Sequence, residues 1–177
     1  MADSRSQARS ELGKQRYYLK GGDLMNSAPV CTKPVPGEFR ITVGVDEEMT
    51  KLVLVIASLR EDCSLVTLVS EDTYLATHRD VLVEEDEWGG LDAVIIETDI
   101  CVPLWNHQLS FPVGKLAEKL NGLLQPRPDL DSLPDGPRHG IALSGPEDSR
   151  WKWKELELER MNRLSADCYC ALCGISD

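Results

Sequence analysis

Nowhere do the 177 residues approach the ~18 consecutive apolar positions that a membrane-spanning helix needs. The opening MADSRSQARSELGKQRYYLKGGD also lacks the apolar stretch of a secretory signal. No Gly-rich phosphate loop, Ser-centred nucleophile elbow or His-Glu-x-x-His sequence occurs, and no internal repeat is visible. Six cysteines are present, but not as the dense, regular set of a small secreted scaffold, so they read as reduced thiols. These absences predict a cytoplasmic chain without a membrane partner.

What is present is one core's worth of apolar sequence, 42%, with appendages. The net charge of −11 is unevenly placed. Residues 35–125 hold 17 acids and 6 bases, and so carry all of it, whereas the remainder has 13 of each. A core of that charge repels polyanions and disfavours RNA.

The chain divides into five parts. Residues 1–34 form a basic arm in which Arg16, Tyr17, Tyr18 and Lys20 interleave charge with aromatic rings. Such a segment can grip single-stranded RNA, but its composition reads first as a mobile or weakly helical solvated arm. Residues 35–125 contain short runs rich in Val, Ile, Leu and Thr. Residues 38–43 alternate with period two, 51–57 read as a strand covered on both faces, and 65–69, 78–84 and 93–97 are three further strands. Pro103 marks an edge or a break, and 84–87 a charged turn. Leucines 116, 120, 123 and 124 share one helical stripe.

Residues 126–149, with five prolines and three glycines, form a linker or wrapping loop. Residues 150–166 form an amphipathic helix with Trp153, Leu156, Met161 and Leu164 on one face and Trp151 and Leu158 on another. Residues 167–177 are a Cys-rich tail. The fold class expected is mainly β, or α+β: a small barrel with the C-terminal helix packed on it.

The ordered set Pro36-Gly37-Glu38, Lys51-Leu52-Val53-Leu54-Val55, Val66-Thr67-Leu68-Val69-Ser70, Ile96 to Leu109 and Val113-Gly114-Lys115-Leu116 resembles the PemK/MazF family of bacterial toxin endoribonucleases, over about ninety residues. That resemblance implies an SH3-like barrel, a homodimer as one assembly, and metal-independent cleavage of RNA by its own 2′-hydroxyl. Negative charge grows on phosphorus in that reaction, and a fixed cation with a hydroxyl donor stabilises it. The matching positions are Lys51, where the family prefers arginine, and Ser70, where it prefers threonine. An ammonium cannot make the planar two-pronged contact of a guanidinium with phosphate. Residues 44–50 form a short acidic loop where the family carries a longer glycine-containing basic one, and Asp99 to Val102 lacks an arginine often found there. The expectation is a weakened or silent member that binds protein in a toxin–antitoxin or defence system, the alternative being an active endoribonuclease.

A basic partner surface is expected to meet Asp46, Glu47 and Glu48, or Glu84, Glu85, Asp86 and Glu87, with the Trp151 and Trp153 helix as a second candidate. His78 and His107 read as satisfied or solvated rather than as proton shuttles. Cys168, Cys170 and Cys173 include only one Cys-x-x-Cys pair, so no metal is assigned, and no cofactor is expected.

Overall fold

The structure, a computed structural model, describes residues 32–43, 49–126, 128–133 and 138–174. Alternating and continuous apolar runs become six strands: β1 (Glu38–Thr42), β2 (Leu52–Ser58), β3 (Cys63–Ser70), β4 (Val81–Val83), β5 (Val94–Trp105) and β6 (Leu109–Lys115). They form one antiparallel sheet in the order β4-β5-β3-β2-β1-β6. A helical turn, α1 (Glu85–Trp88), follows β4, and a long helix, α2 (Ser149–Cys173), is the last element among the described residues. The α+β class is as expected. A closed barrel is not: β4 and β6 end the strand order, with no ladder between them among the described residues.

Both faces of the sheet are covered, which explains the unbroken apolar run of β2. The register Val53↔Leu68 and Val55↔Val66 turns these four side chains to one face. There they pack with Ile100, Val102, Leu104, Leu109 and, from α2, Met161 and Leu164. Phe39, paired with Leu54, meets buried Trp88 with ring centroids 5.1 Å apart. A Cβ on Gly114 would lie 2.5 Å from the Trp88 carbonyl oxygen, so β6 tolerates only glycine where α1 leans on it. α1 therefore braces the two outer strands: it follows one and touches the other. The outer edge of β4 is paired by the linker, through Leu82 N donating to Arg138 O at 2.6 Å and the bridge Val81↔His139. An exposed edge that could recruit another chain is thereby closed.

Several elements differ from expectation. β6 was not anticipated, because Pro112 and Gly114 interrupt its pattern; Pro112 sits opposite Arg40 at an irregular register. Leucines 116–124 do not form an α-helix. Glu118–Leu123 winds as 3₁₀ turns that bury Leu120 and Leu123, in keeping with a short segment containing Gly122. Residues 84–87 begin a helical turn rather than a plain loop, with Glu84 N donating to Glu87 Oε2 at 3.0 Å. β5 continues through Pro103, which faces Leu65 of β3. β4 pairs only with Val94–Ile96, so the other side of Pro103 has no ladder and its missing N–H costs nothing.

The largest revision concerns α2. The expected helix of 150–166 with a free tail continues to Cys173, where Gly174 stops it at φ 70°. Asp148 caps its start by accepting from Arg150 N at 3.1 Å. Its buried face is Lys154, Glu157, Met161, Leu164, Ser165 and Cys168, while Leu156 is exposed. The tail's first cysteine is therefore part of the core.

Candidate functional site

Lys51 and Ser70 flank the registered pair Leu52↔Val69, so the two stand side by side at one end of β2 and β3. Strand alternation turns both toward the face that α2 covers, since Val53 and Leu68 pack there. The Lys51 ammonium is already engaged. Its Nζ lies 2.7 Å from Glu157 Oε2, and Arg160 donates to the other oxygen of the same carboxylate at 2.5 Å. Glu157 is buried and Lys51 half-buried, so the contact is partly desolvated and not a fully exposed surface pair. Ser70 Oγ accepts from Asp72 N at 3.2 Å. The corner thus holds a cation, a hydroxyl and a carboxylate that occupies the cation.

A second polar centre lies on the same face. A bulge in β5 skips 98–100 in the ladder, because Thr67 pairs with Cys101 and Leu68 with Glu97. The Thr67 hydroxyl spans the gap with bonds to Glu97 O at 2.7 Å and Ile100 O at 3.1 Å. Outside the ladder, Thr98 donates to Arg79 O at 2.5 Å and Asp99 pairs with Arg79 at 3.2 Å. The bulge seats the fully buried Glu97 beside Asp80 and under Lys154 of α2. Lys154 Nζ meets Asp80 Oδ1 at 2.6 Å and also hydrogen-bonds to Glu97 Oε2. Asp80 Oδ2 accepts from the Thr77 backbone N at 2.6 Å and its hydroxyl at 2.7 Å. Two carboxylates and one ammonium would leave a buried negative charge. Burial, and then the charge of Asp80, push the Glu97 carboxyl up to about 8 against the pull of Lys154. One carboxyl of the pair is therefore protonated at neutral pH.

The acidic surface splits on inspection. Glu84, Glu85 and Asp86 are exposed. Glu87 is not available to a partner, because it is buried between Lys119 at 2.7 Å and Arg138. Burial alone would raise its carboxyl, but the hydrogen bonds from Arg138 and Lys119 outweigh it and hold the pKa at about 2. Trp151 is exposed, whereas Trp153 is partly buried against the Met161 cluster and a second one of Leu75, Ala76 and Ile95. Asp46, Glu47 and Glu48, like Arg16, Tyr17, Tyr18 and Lys20, lie outside the described residues. His78 and His107 are exposed on turns.

The cysteines are not one cluster. Cys168 points to Cys63, with 2.9 Å between sulfurs, while Cys170 is half-buried and Cys173 exposed. Among the described residues no group of three His, Cys, Asp or Glu side chains is placed to hold a metal ion. No helix among them is long and apolar enough to cross a membrane.

Asp80, Glu97, Lys154 and Glu157 were not singled out from the sequence. The signal was there in Lys154 and Glu157, which continue the Met161, Leu164 and Cys168 stripe at spacings of three, four and seven. Charges on the inward stripe of a helix have to find buried partners. No family model matches the sequence, and no curated protein matches it.

Proposed function

We propose that this chain is a PemK/MazF-like module whose RNA-cleaving chemistry is silent, and that it acts in the bacterial cytoplasm as a protein-binding or regulatory component of a toxin–antitoxin or defence system. The observation that carries this reading is the pairing of Lys51 with Glu157 under α2. A phosphate approaching Lys51 would have to displace a buried carboxylate that Arg160 also holds. Giving up that partly desolvated contact costs the incoming phosphate part of what Lys51 could offer it. The net charge of −11 adds repulsion at longer range. A protein partner with a basic surface suits the exposed Glu84, Glu85 and Asp86, whose charges would set association rate and salt sensitivity.

The test is incubation of the full chain with a defined RNA pool at low salt. No sequence-selective cleavage is expected. Cleavage that vanishes in both Lys51→Ala and Ser70→Ala would replace this reading with an active endoribonuclease. For the binding half, a partner captured from the native cell should associate more slowly, and with flatter salt dependence, when Glu85 and Asp86 are both reversed to lysine. An unchanged rate would move recognition to the exposed Trp151 side of α2.

A further inference from the structure

We propose that Cys63 and Cys168 form a reversible disulfide that fastens α2 to the sheet, with a small peroxide as oxidant. The two residues are 105 positions apart in sequence, yet their sulfurs are 2.9 Å apart and both side chains are fully buried. Neither is on a loose segment. Cys63 opens β3, paired with Trp105, and its carbonyl accepts from Leu59 N at 2.9 Å and Arg60 N at 3.1 Å. Cys168 lies in the last third of α2. That stretch is tied down by Gln108 Nε2 donating to Leu164 O at 3.0 Å, and by Arg60 reaching Leu172 O at 3.3 Å. Two thiols held this way react as an intramolecular pair, with little ordering left to lose.

The other described thiols are less suited. Cys170 and Cys173 are on the same helix at other angles, and Cys101 lines a small crevice with Ile56, Thr98 and Leu123. Burial, and then Cys63, push the Cys168 thiol up to about 12, so that thiol rests protonated. A buried, protonated thiol is a poor nucleophile, and the bond forms only as α2 opens or a small oxidant enters.

With hydrogen peroxide the step balances. One sulfur, as thiolate, attacks a peroxide oxygen; an S–O bond forms, the O–O bond breaks, and hydroxide leaves and takes the proton as water. The second thiol's sulfur then displaces the hydroxyl of that sulfenic acid; the S–S bond forms and a second water leaves. The two sulfurs give up two electrons and the peroxide accepts them. A dithiol reductant reverses the bond by exchange. The oxidised form holds α2 over the face that carries Lys51, Asp80 and Glu97, and this consequence does not depend on whether RNA is cut.

The test uses the full wild-type chain, reduced, freed of reductant, exposed to hydrogen peroxide, and alkylated with iodoacetamide in denaturant. Peptide mass mapping is expected to show Cys63 joined to Cys168 as the main cross-link, with two fewer alkyl groups than the six of the reduced chain. Amides of Met161 to Cys168 should exchange with solvent about tenfold more slowly once oxidised, because opening of the helix is restrained. Retention of all six alkylatable thiols would overturn the proposal, as would a main product joining Cys170 to Cys173 or joining two chains. Cys63→Ser, and separately Cys63→Ala, should abolish the cross-link without abolishing the fold. A cross-link to Cys168 that persists in either variant also refutes the assignment.

Discussion

Lys154 hydrogen-bonds one oxygen of Glu97 and leaves the other, Oε1, buried with no hydrogen-bond partner among the described residues. An ionised carboxylate in that position would waste much of its hydration, whereas a protonated one has less to lose. Burial beside Asp80 therefore favours the protonated carboxyl although the Lys154 contact favours the charged one, and pH becomes a lever on the stability of the fold.

The first prediction follows from the sign of that shift. Glu97 has its pKa raised from 4.5 to about 8 in the folded chain. Between those values the folded state binds a proton that the unfolded state does not. Its contribution is fully present below the unfolded value and is lost as pH rises through the folded one. The urea midpoint should fall between about pH 5 and pH 9, with a slope no steeper than ~1.4 kcal/mol per pH unit from this group. Glu97→Gln should flatten the decline. Glu87 acts in the other direction, but only as pH falls from about 4.5 toward 2, so the two windows separate. A midpoint that stays level or rises over the alkaline window would refute the assignment of the proton to this site.

Lys154→Met should destabilise the fold by ~3–5 kcal/mol, because it leaves Asp80 and Glu97 buried without their cation. Adding Asp80→Asn and Glu97→Gln to that variant should restore a large part of the loss, as expected when the penalty comes from unpaired charge. Urea melts of the wild type, Lys154→Met and the triple variant, with amide exchange over α2, measure both effects.

Gly114→Ala should cost ~1–3 kcal/mol, since its methyl would press on the Trp88 carbonyl oxygen and backbone has nowhere to yield. Trp88→Ala should cost ~3–5 kcal/mol through the cavity left beside Phe39. The informative measurement is the double variant. Its loss should be smaller than the sum of the two single losses, because removing the indole takes away the ring carbon 2.9 Å from the new methyl and lets α1 give way.

Chain purified without chelator should hold well under one equivalent of zinc. Cys168 faces Cys63 inside the core, so it is not free to join Cys170 and Cys173 on the outer part of the helix. One full equivalent, lost in Cys170→Ser, would contradict this arrangement.

Strands β1, β2 and β3 were legible in the sequence because period-two alternation and β-branched runs report burial directly: Phe39, Val53, Val55, Val66 and Leu68 are all in the core. The C-terminal helix was legible from its apolar stripe, which holds at Met161 and Leu164 although Leu156 is exposed. Its last turns were not, because Asp167, Cys168, Tyr169 and Cys170 read as a polar, thiol-rich tail until β3 supplies Cys63 as a neighbour. β6 hid behind Pro112 and Gly114, residues that lower strand propensity but suit an edge strand leaned on by Trp88.

By itself, then, the sequence determined which segments would be apolar, where the acidic charge would concentrate, and that a helix would follow the Pro- and Gly-rich stretch. Each of those depends on local composition and spacing. Only the tertiary structure decided that Lys51 meets Glu157, that Lys154 lies between Asp80 and Glu97, and that Cys63 touches Cys168. The physical reason is range. These partners are 57 to 106 positions apart, and a charge or thiol has no preference for a distant residue until packing removes water from both.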